Sequence, residues 1–276
     1  MTIANGDFEF VSGLVQRESA ISLPKGKEYL VEARLTPLAR DTGLGSLPAL
    51  VAELRQGDSG ELRRRVVDAM TTNETSWFRD RTPFEALGCG VLDRLLPARR
   101  LHGRVRIWSA GCSSGQEPYS IAMTVAPRLA AEGLALDLVA TDLSEEMVTR
   151  GRAGRYTDFE MKRGLSPQAR EEHFTRVEDG WQISDELRAM VTFRSLNLAS
   201  PFPPLGTMDV VFLRNVLIYF DAETKAQVLE RVGQLLAPDG YLFLGAAETT
   251  INVDERFTRT TVGGATVYRL DGKAAA

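Results

Sequence analysis

Residues 106–119 read RIWSAGCSSGQEPY. An apolar run ending in Ile107 and Trp108 stops at a turn rich in glycine and serine, with Gly111 and Gly115, and a helical pattern begins directly after it. Strand, glycine turn and helix in that order open a doubly wound α/β sheet, where ligands lie beyond the carboxyl ends of the strands. The spacing is G-x-x-x-G. A dinucleotide fingerprint requires G-x-G-x-x-G, and here Cys112 and Ser113 stand where the second glycine would fall. A phosphate loop requires Gly-Lys followed by Ser or Thr, and this turn has no lysine. A turn so poor in phosphate ligands suits a nucleoside without phosphates.

Downstream the pattern alternates strand and helix. Apolar runs at 105–108, 136–140, 210–213 and 241–244 are separated by helical stretches. The clearest helix is 222–237, where Val228, Leu229, Val232, Leu235 and Leu236 share a face, with Pro238, Asp239 and Gly240 expected to end it. Such alternation predicts a mostly parallel sheet covered by helices. Residues 174–183 carry a hairpin signal around Glu178, Asp179 and Gly180, and the region 157–195 reads as an inserted β subdomain. Residues 257–268 read as a closing antiparallel hairpin. Upstream, the first 70 residues read as helices only: Leu47, Leu50, Val51 and Leu54 form one apolar stripe, and Phe10, Val11, Leu14 and Val15 another. The expected organisation is a helical domain over 1–70, a linker over 71–95 and an α/β domain over 96–276.

The chain has 276 residues, 43% hydrophobic and 25% charged, which fits an α/β domain with a smaller accessory unit. A net charge of −4 and a pI near 5.5 give no reason to expect nucleic-acid binding. Two cysteines, Cys89 and Cys112, do not make a disulfide framework, and two histidines, His102 and His173, lack metal-ligand spacing. No signal peptide or long apolar run is present. The expectation is a cytoplasmic protein without a metal site.

Asp142 ends the second apolar run, and an acid at that strand tip accepts ribose hydroxyls through charge-assisted hydrogen bonds of roughly 1.5 to 3 kcal/mol each. Glu117, just past the turn, adds a second carboxylate. Two carboxylates repel a diphosphate and attract a cation. S-adenosylmethionine, with a sulfonium, an α-amino group and no phosphate, fits both constraints.

Four segments together, 71–79 (TTNETSWFR), 109–119 (SAGCSSGQEPY), 196–198 (LNL) and 214–220 (RNVLIYF), resemble the chemotaxis receptor methyltransferases, the CheR family. Their order and spacing match, and the resemblance spans about residues 8 to 270. It implies a Rossmann-like class I methyltransferase domain with a small all-helical N-terminal domain, a linker that contributes to the cofactor site and a small antiparallel β insertion. It also implies transfer of a methyl from S-adenosylmethionine, leaving S-adenosylhomocysteine, to glutamates on the cytoplasmic coiled-coil region of transmembrane chemoreceptors. By position, Asn73, Thr75, Arg79, Gly111, Glu117, Asp142, Asn197, Leu198, Arg214 and Asn215 line the cofactor site, and Arg79 and Tyr219 lie closest to the transferred methyl. Gln116 stands where many members have an acid, and Trp77 where Phe is common.

The residue inventory suits that chemistry. A glutamate is ionised at pH 7 and a sulfonium is an activated donor, so neither a general base nor a metal is required. Alignment alone can contribute roughly 7 to 11 kcal/mol. Arg79 can hold a carboxylate as a fork, and Tyr219 can offer a hydroxyl and a ring face to the sulfonium. Read without the resemblance, Arg79 beside Asp80 and Arg81 is a solvated charge cluster, Tyr219 a core aromatic, Trp108 core packing and Arg63 to Arg65 a solvated helix face. Two other functions stay open: methylation of nucleic acid or a small molecule, and a noncatalytic cofactor-binding scaffold. The first is disfavoured because Arg214, Asn215, Val216 and Leu217 follow the third of those downstream runs, where amino-methylating enzymes carry Asn or Asp, two prolines and an aromatic. The resemblance implies that members tethering to a receptor's C-terminal pentapeptide carry a longer Gly-containing loop in the β insertion, so the short turn Glu178, Asp179, Gly180 predicts pentapeptide-independent recognition; a monomer is expected.

Overall fold

The computed structural model describes residues 3–57 and 60–271. By the clustering of its contacts the chain divides into Met1–Thr72 with Tyr219–Thr224, and Asn73–Ile218 with Lys225–Ala276.

The first unit is built from four helices, Asn5–Ser19, Glu28–Asp41, Leu47–Gln56 and Gly60–Met70. Their apolar stripes meet in one core around Val11, Leu35, Leu50 and Val66, each fully buried, whereas Phe10 is only partly covered. Ser46 caps the third helix by accepting from Ala49 N. Arg34 donates to the carbonyls of Met70 and Thr71 at 2.7 and 2.8 Å, which satisfies exposed acceptors at the end of the fourth.

Ten strands follow: β1 (Arg104–Ala110), β2 (Ala135–Asp142), β3 (Arg155–Tyr156), β4 (Phe174–Val177), β5 (Gly180–Ile183), β6 (Val191–Ser195), β7 (Met208–Leu213), β8 (Leu236–Leu244), β9 (Phe257–Val262) and β10 (Ala265–Leu270). The main sheet has the order β6-β2-β1-β7-β8-β10-β9. Its first five strands are parallel, while β10 and β9 run antiparallel as the closing hairpin. Strand order reverses at β1, so the ligand crevice of this topology lies at the carboxyl ends of β1 and its neighbours. The small sheet β3-β5-β4 carries the hairpin at Glu178 and Asp179.

Two segments differ from the sequence reading. Val191–Ser195 belongs to the main sheet as its parallel edge strand, because Val191 and Phe193 bury one face while Thr192 and Arg194 stay exposed. Residues 82–99, assigned mostly to the linker, are helical: Thr82–Ala86, a π turn over Leu87–Val91 and Leu92–Arg99, with Phe84, Leu87, Val91 and Leu95 in the core. The helix expected over 222–237 runs Ala222–Leu235, and Pro238, Asp239 and Gly240 follow its end, inside the opening stretch of β8 where the register shifts opposite Met208 and Val210. No helix among the described residues is long and apolar enough to cross a membrane.

The cause of that irregularity is a buried cation. Arg99 donates to Asp209 Oδ1 at 2.6 Å and makes a two-bond fork to Asp239 at 2.6 and 2.8 Å, while Arg106 N donates to Asp209 Oδ2 at 2.7 Å. Hydrogen bonding to Arg99 holds the Asp239 carboxyl below its ordinary value. Because the folded value is depressed, this stabilisation is present above the ordinary aspartate range and is lost as pH falls through the folded value. Arg99→Ala strands a buried Asp209 and is expected to cost roughly 3 to 5 kcal/mol at neutral pH in urea unfolding. The deficit should narrow in acid, and a neutral-pH cost below about 1 kcal/mol would contradict this role.

Candidate functional site

The turn after β1 is fixed by backbone bonds to the end of β2. Gly111 N and Cys112 N both donate to Thr141 O, at 2.8 and 2.9 Å. Gly111 has φ 75°, and a Cβ there would lie 2.4 Å from Val216 Cγ2. Gly115 has φ 97°, and a Cβ there would meet Tyr156 Oη at 3.0 Å and Gly151 Cα at 3.1 Å. Both positions require glycine for conformation and for close approach. The helix Gln116–Ala131 starts at once, with its N-terminus at the crevice.

Two carboxylates flank this turn, Asp142 buried and Glu117 partly buried. Asp142 accepts Ser113 N on Oδ2 at 2.7 Å and Ser144 N on Oδ1 at 3.0 Å. Burial pushes its carboxyl up, and the backbone donors pull it back down. An ionised carboxylate at this strand tip is a pure acceptor, the partner that the two hydroxyls of a vicinal diol need. Glu117 accepts Ser109 Oγ at 2.8 Å and Arg214 Nη1 at 3.0 Å. Burial raises it too, against the attraction of Arg214 and the Ser109 bond.

Arg214, 4% exposed, joins Glu117 to the segment before the first helix of the α/β unit. Its Nη2 donates to Arg79 O at 3.0 Å and to Asp80 Oδ2 at 2.6 Å. That segment is strained, since Phe78, Asp80 and Arg81 all have positive φ. It is anchored by Trp77 N to Arg163 O, Phe78 N to Ser120 Oγ and Ser113 Oγ to Asn73 O, at 3.0, 3.0 and 2.8 Å. The Trp77 ring packs edge-on against Tyr156 and Phe174.

The expected residues therefore separate into groups. Asn73 and Asp142 meet through Ser113, Gly111 N donates to Thr141 O beside Asp142, and Glu117, Arg214 and the Arg79 backbone meet through one guanidinium. The Arg79 side chain donates to Glu74 O at 3.1 Å, and Thr75 is half-buried in the same segment. Leu196 N donates to Asp142 O at 2.9 Å, which brings Asn197 and Leu198 to the end of β2; Asn197 Oδ1 accepts Ala199 N. Tyr219 is half-buried, in the short stretch that groups with the helical unit, where its carbonyl accepts Ser22 N at 3.0 Å. Trp108 is fully buried and donates to Thr141 Oγ1 at 3.0 Å. Cys112 is buried, and burial, with Asp142 and Glu117 nearby, pushes its thiol well up, the opposite of an activated nucleophile.

One residue escaped the sequence reading. Glu248 accepts four backbone N–H groups, from Asn215 and Gly245 on Oε2 at 2.7 Å each, and from Val216 and Ile218 on Oε1 at 2.9 and 3.2 Å. It clamps the loop after β7 to the loop after β8 and holds Asn215 at φ 58°. The available signal was an acid just past the 241–244 run, placed as Asp142 is after its strand. Glu248→Gln keeps the shape but turns an amide donor against two N–H donors. It is expected to weaken S-adenosylhomocysteine binding by roughly tenfold in calorimetry, and unchanged affinity would remove Glu248 from the site.

Comparison with known proteins agrees with this geometry. Residues 6–71 match the family model "CheR methyltransferase, all-alpha domain", and residues 73–264 match "CheR methyltransferase, SAM binding domain". The chain is 44% identical over 274 residues to chemotaxis protein methyltransferase 1 of Pseudomonas aeruginosa, covering 98% of this chain and 99% of that one. It is 34% identical over 275 residues to the chemotaxis protein methyltransferase of Escherichia coli, covering 98% and 92%. With the doubly wound sheet, the helical unit and the small antiparallel sheet, these matches establish that the chain belongs to the CheR family of S-adenosylmethionine-dependent chemotaxis methyltransferases.

Proposed function

We propose that the chain methylates glutamate side chains of chemoreceptors, forming glutamate methyl esters in the cytoplasm. The observation that carries this reading is the pairing of a lysine-free glycine turn with two carboxylates, the buried Asp142 and the partly buried Glu117, on either side of it. S-adenosylmethionine supplies a methyl already activated on sulfur. Asp142 holds the ribose hydroxyls, and Glu117 with Arg214 sets the charge around the amino-acid end. Asn73, Thr75, Asn197, Leu198 and Asn215 complete the enclosure, and Arg79 and Tyr219 orient the acceptor carboxylate. No proton has to move, because the acceptor is ionised at neutral pH. The absence of a histidine from this set agrees with that.

The acceptor is the cytoplasmic coiled-coil region of a transmembrane receptor, reached without a C-terminal pentapeptide, in keeping with the short turn between β4 and β5, and the enzyme acts as a monomer. Family membership and the relatives named above support the chemotaxis assignment. Incubation with receptor-bearing membranes and methyl-labelled cofactor is expected to yield label that alkali releases as methanol. Label that survives alkali would contradict the glutamate ester, and a large loss on deleting the receptor tail would contradict pentapeptide independence.

A further inference from the structure

A second concavity, of about 540 Å³, lies at the carboxyl ends of β7 and β8. It is walled by residues 245–249, by Asp80 and Thr82, and by the closing hairpin through Arg259 and Thr266. Arg214 lines it as well, whereas Glu117, its partner beside the glycine turn, does not. The cleft thus adjoins the proposed cofactor site and shares one guanidinium with it.

What the cleft can bind follows from which of its polar groups are already committed. Both of its carboxylates are partnered: Asp80 Oδ2 pairs with Arg214, and Glu248 is saturated by four backbone N–H groups. Its cationic groups keep donors to spare. Arg214 Nε is buried without a hydrogen-bond partner, a costly state for a cationic N–H unless a ligand meets it. Arg259 is exposed on β9, and its guanidinium bonds only Thr266 Oγ1, at 3.2 Å, with no carboxylate partner among the described residues. A cleft with a charged fork at its rim and an unmet N–H at its wall accepts oxygen, and the full charge at the rim selects an anionic one.

We propose that this cleft binds an acidic side chain of the acceptor segment, with Arg259 as the rim contact that selects it. The proposal rests on the reading of the chain as a protein-glutamate methyltransferase and adds a specificity residue on the hairpin β9-β10. Arg259 is remote in sequence from every residue assigned to the cofactor.

The test compares wild type, Arg259→Glu and Arg259→Lys in binding the cytoplasmic fragment of a chemoreceptor that the wild type methylates, by calorimetry without cofactor at low and high salt. Arg259→Glu is expected to weaken fragment binding roughly tenfold and to flatten its salt dependence, with Arg259→Lys close to wild type. S-adenosylhomocysteine affinity should stay within about twofold for both, which also reports that the variants fold. Fragment affinity unchanged in Arg259→Glu would overturn the cleft assignment while leaving the glutamate reading intact. Wild type that forms no alkali-labile ester on any receptor would overturn both.

Discussion

A single guanidinium, that of Arg214, sits almost wholly out of water between Glu117, Asp80 and the carbonyl of Arg79. A buried cation of this kind is tolerable only while its partners stay in place, and removing one partner of such a pair costs roughly 3 to 5 kcal/mol. The energetic demand fixes geometry. It ties the first turn of one helix, the end of β7 and the strained segment 78–81 to a common point. Positive φ at Phe78, Asp80 and Arg81 is held there by the Arg79 carbonyl and Asp80 contacts, together with Phe78 N on Ser120. Strain at a segment proposed to hold substrate is preorganisation set at folding rather than at binding.

The same device recurs at two other strand ends. Asp142 after β2 and Glu248 after β8 each accept backbone N–H groups from neighbouring loops. Carboxylates used this way replace the loop-to-loop contacts that a sheet edge cannot supply itself. They differ in load: Asp142 accepts from the turn after β1 and from its own loop, whereas Glu248 gathers four N–H groups. For a methyl transfer that needs no base, rigid placement is the main contribution the protein can make.

Much of this was legible in sequence because it depends on local patterns. The strand, glycine turn and helix of 106–119, the helical stripes of the first 70 residues and the closing hairpin all follow from short-range periodicity and chirality. What escaped depends on partners distant in the chain. Pro238 to Gly240 marks the end of the helix, but shows neither that β8 begins at once at Leu236 nor that Arg99 reaches across to Asp239 and Asp209. Residues 82–99, with two glycines and two prolines, have weak helix propensity, and burial of Phe84, Leu87 and Leu95 overrides it. Val191–Ser195 is too short to be assigned to one sheet rather than the other before its partner β2 is known. Glu248 is one acid among many until its four donors converge.

The central claim is that Glu117 and Arg214 act as one unit in shaping the cofactor site. A double-mutant cycle of Glu117→Gln and Arg214→Met, read by calorimetry of S-adenosylhomocysteine binding, tests it most directly. Each single change is expected to weaken binding roughly tenfold or more, with the double variant no worse than the poorer single one. Losses that simply add would contradict it.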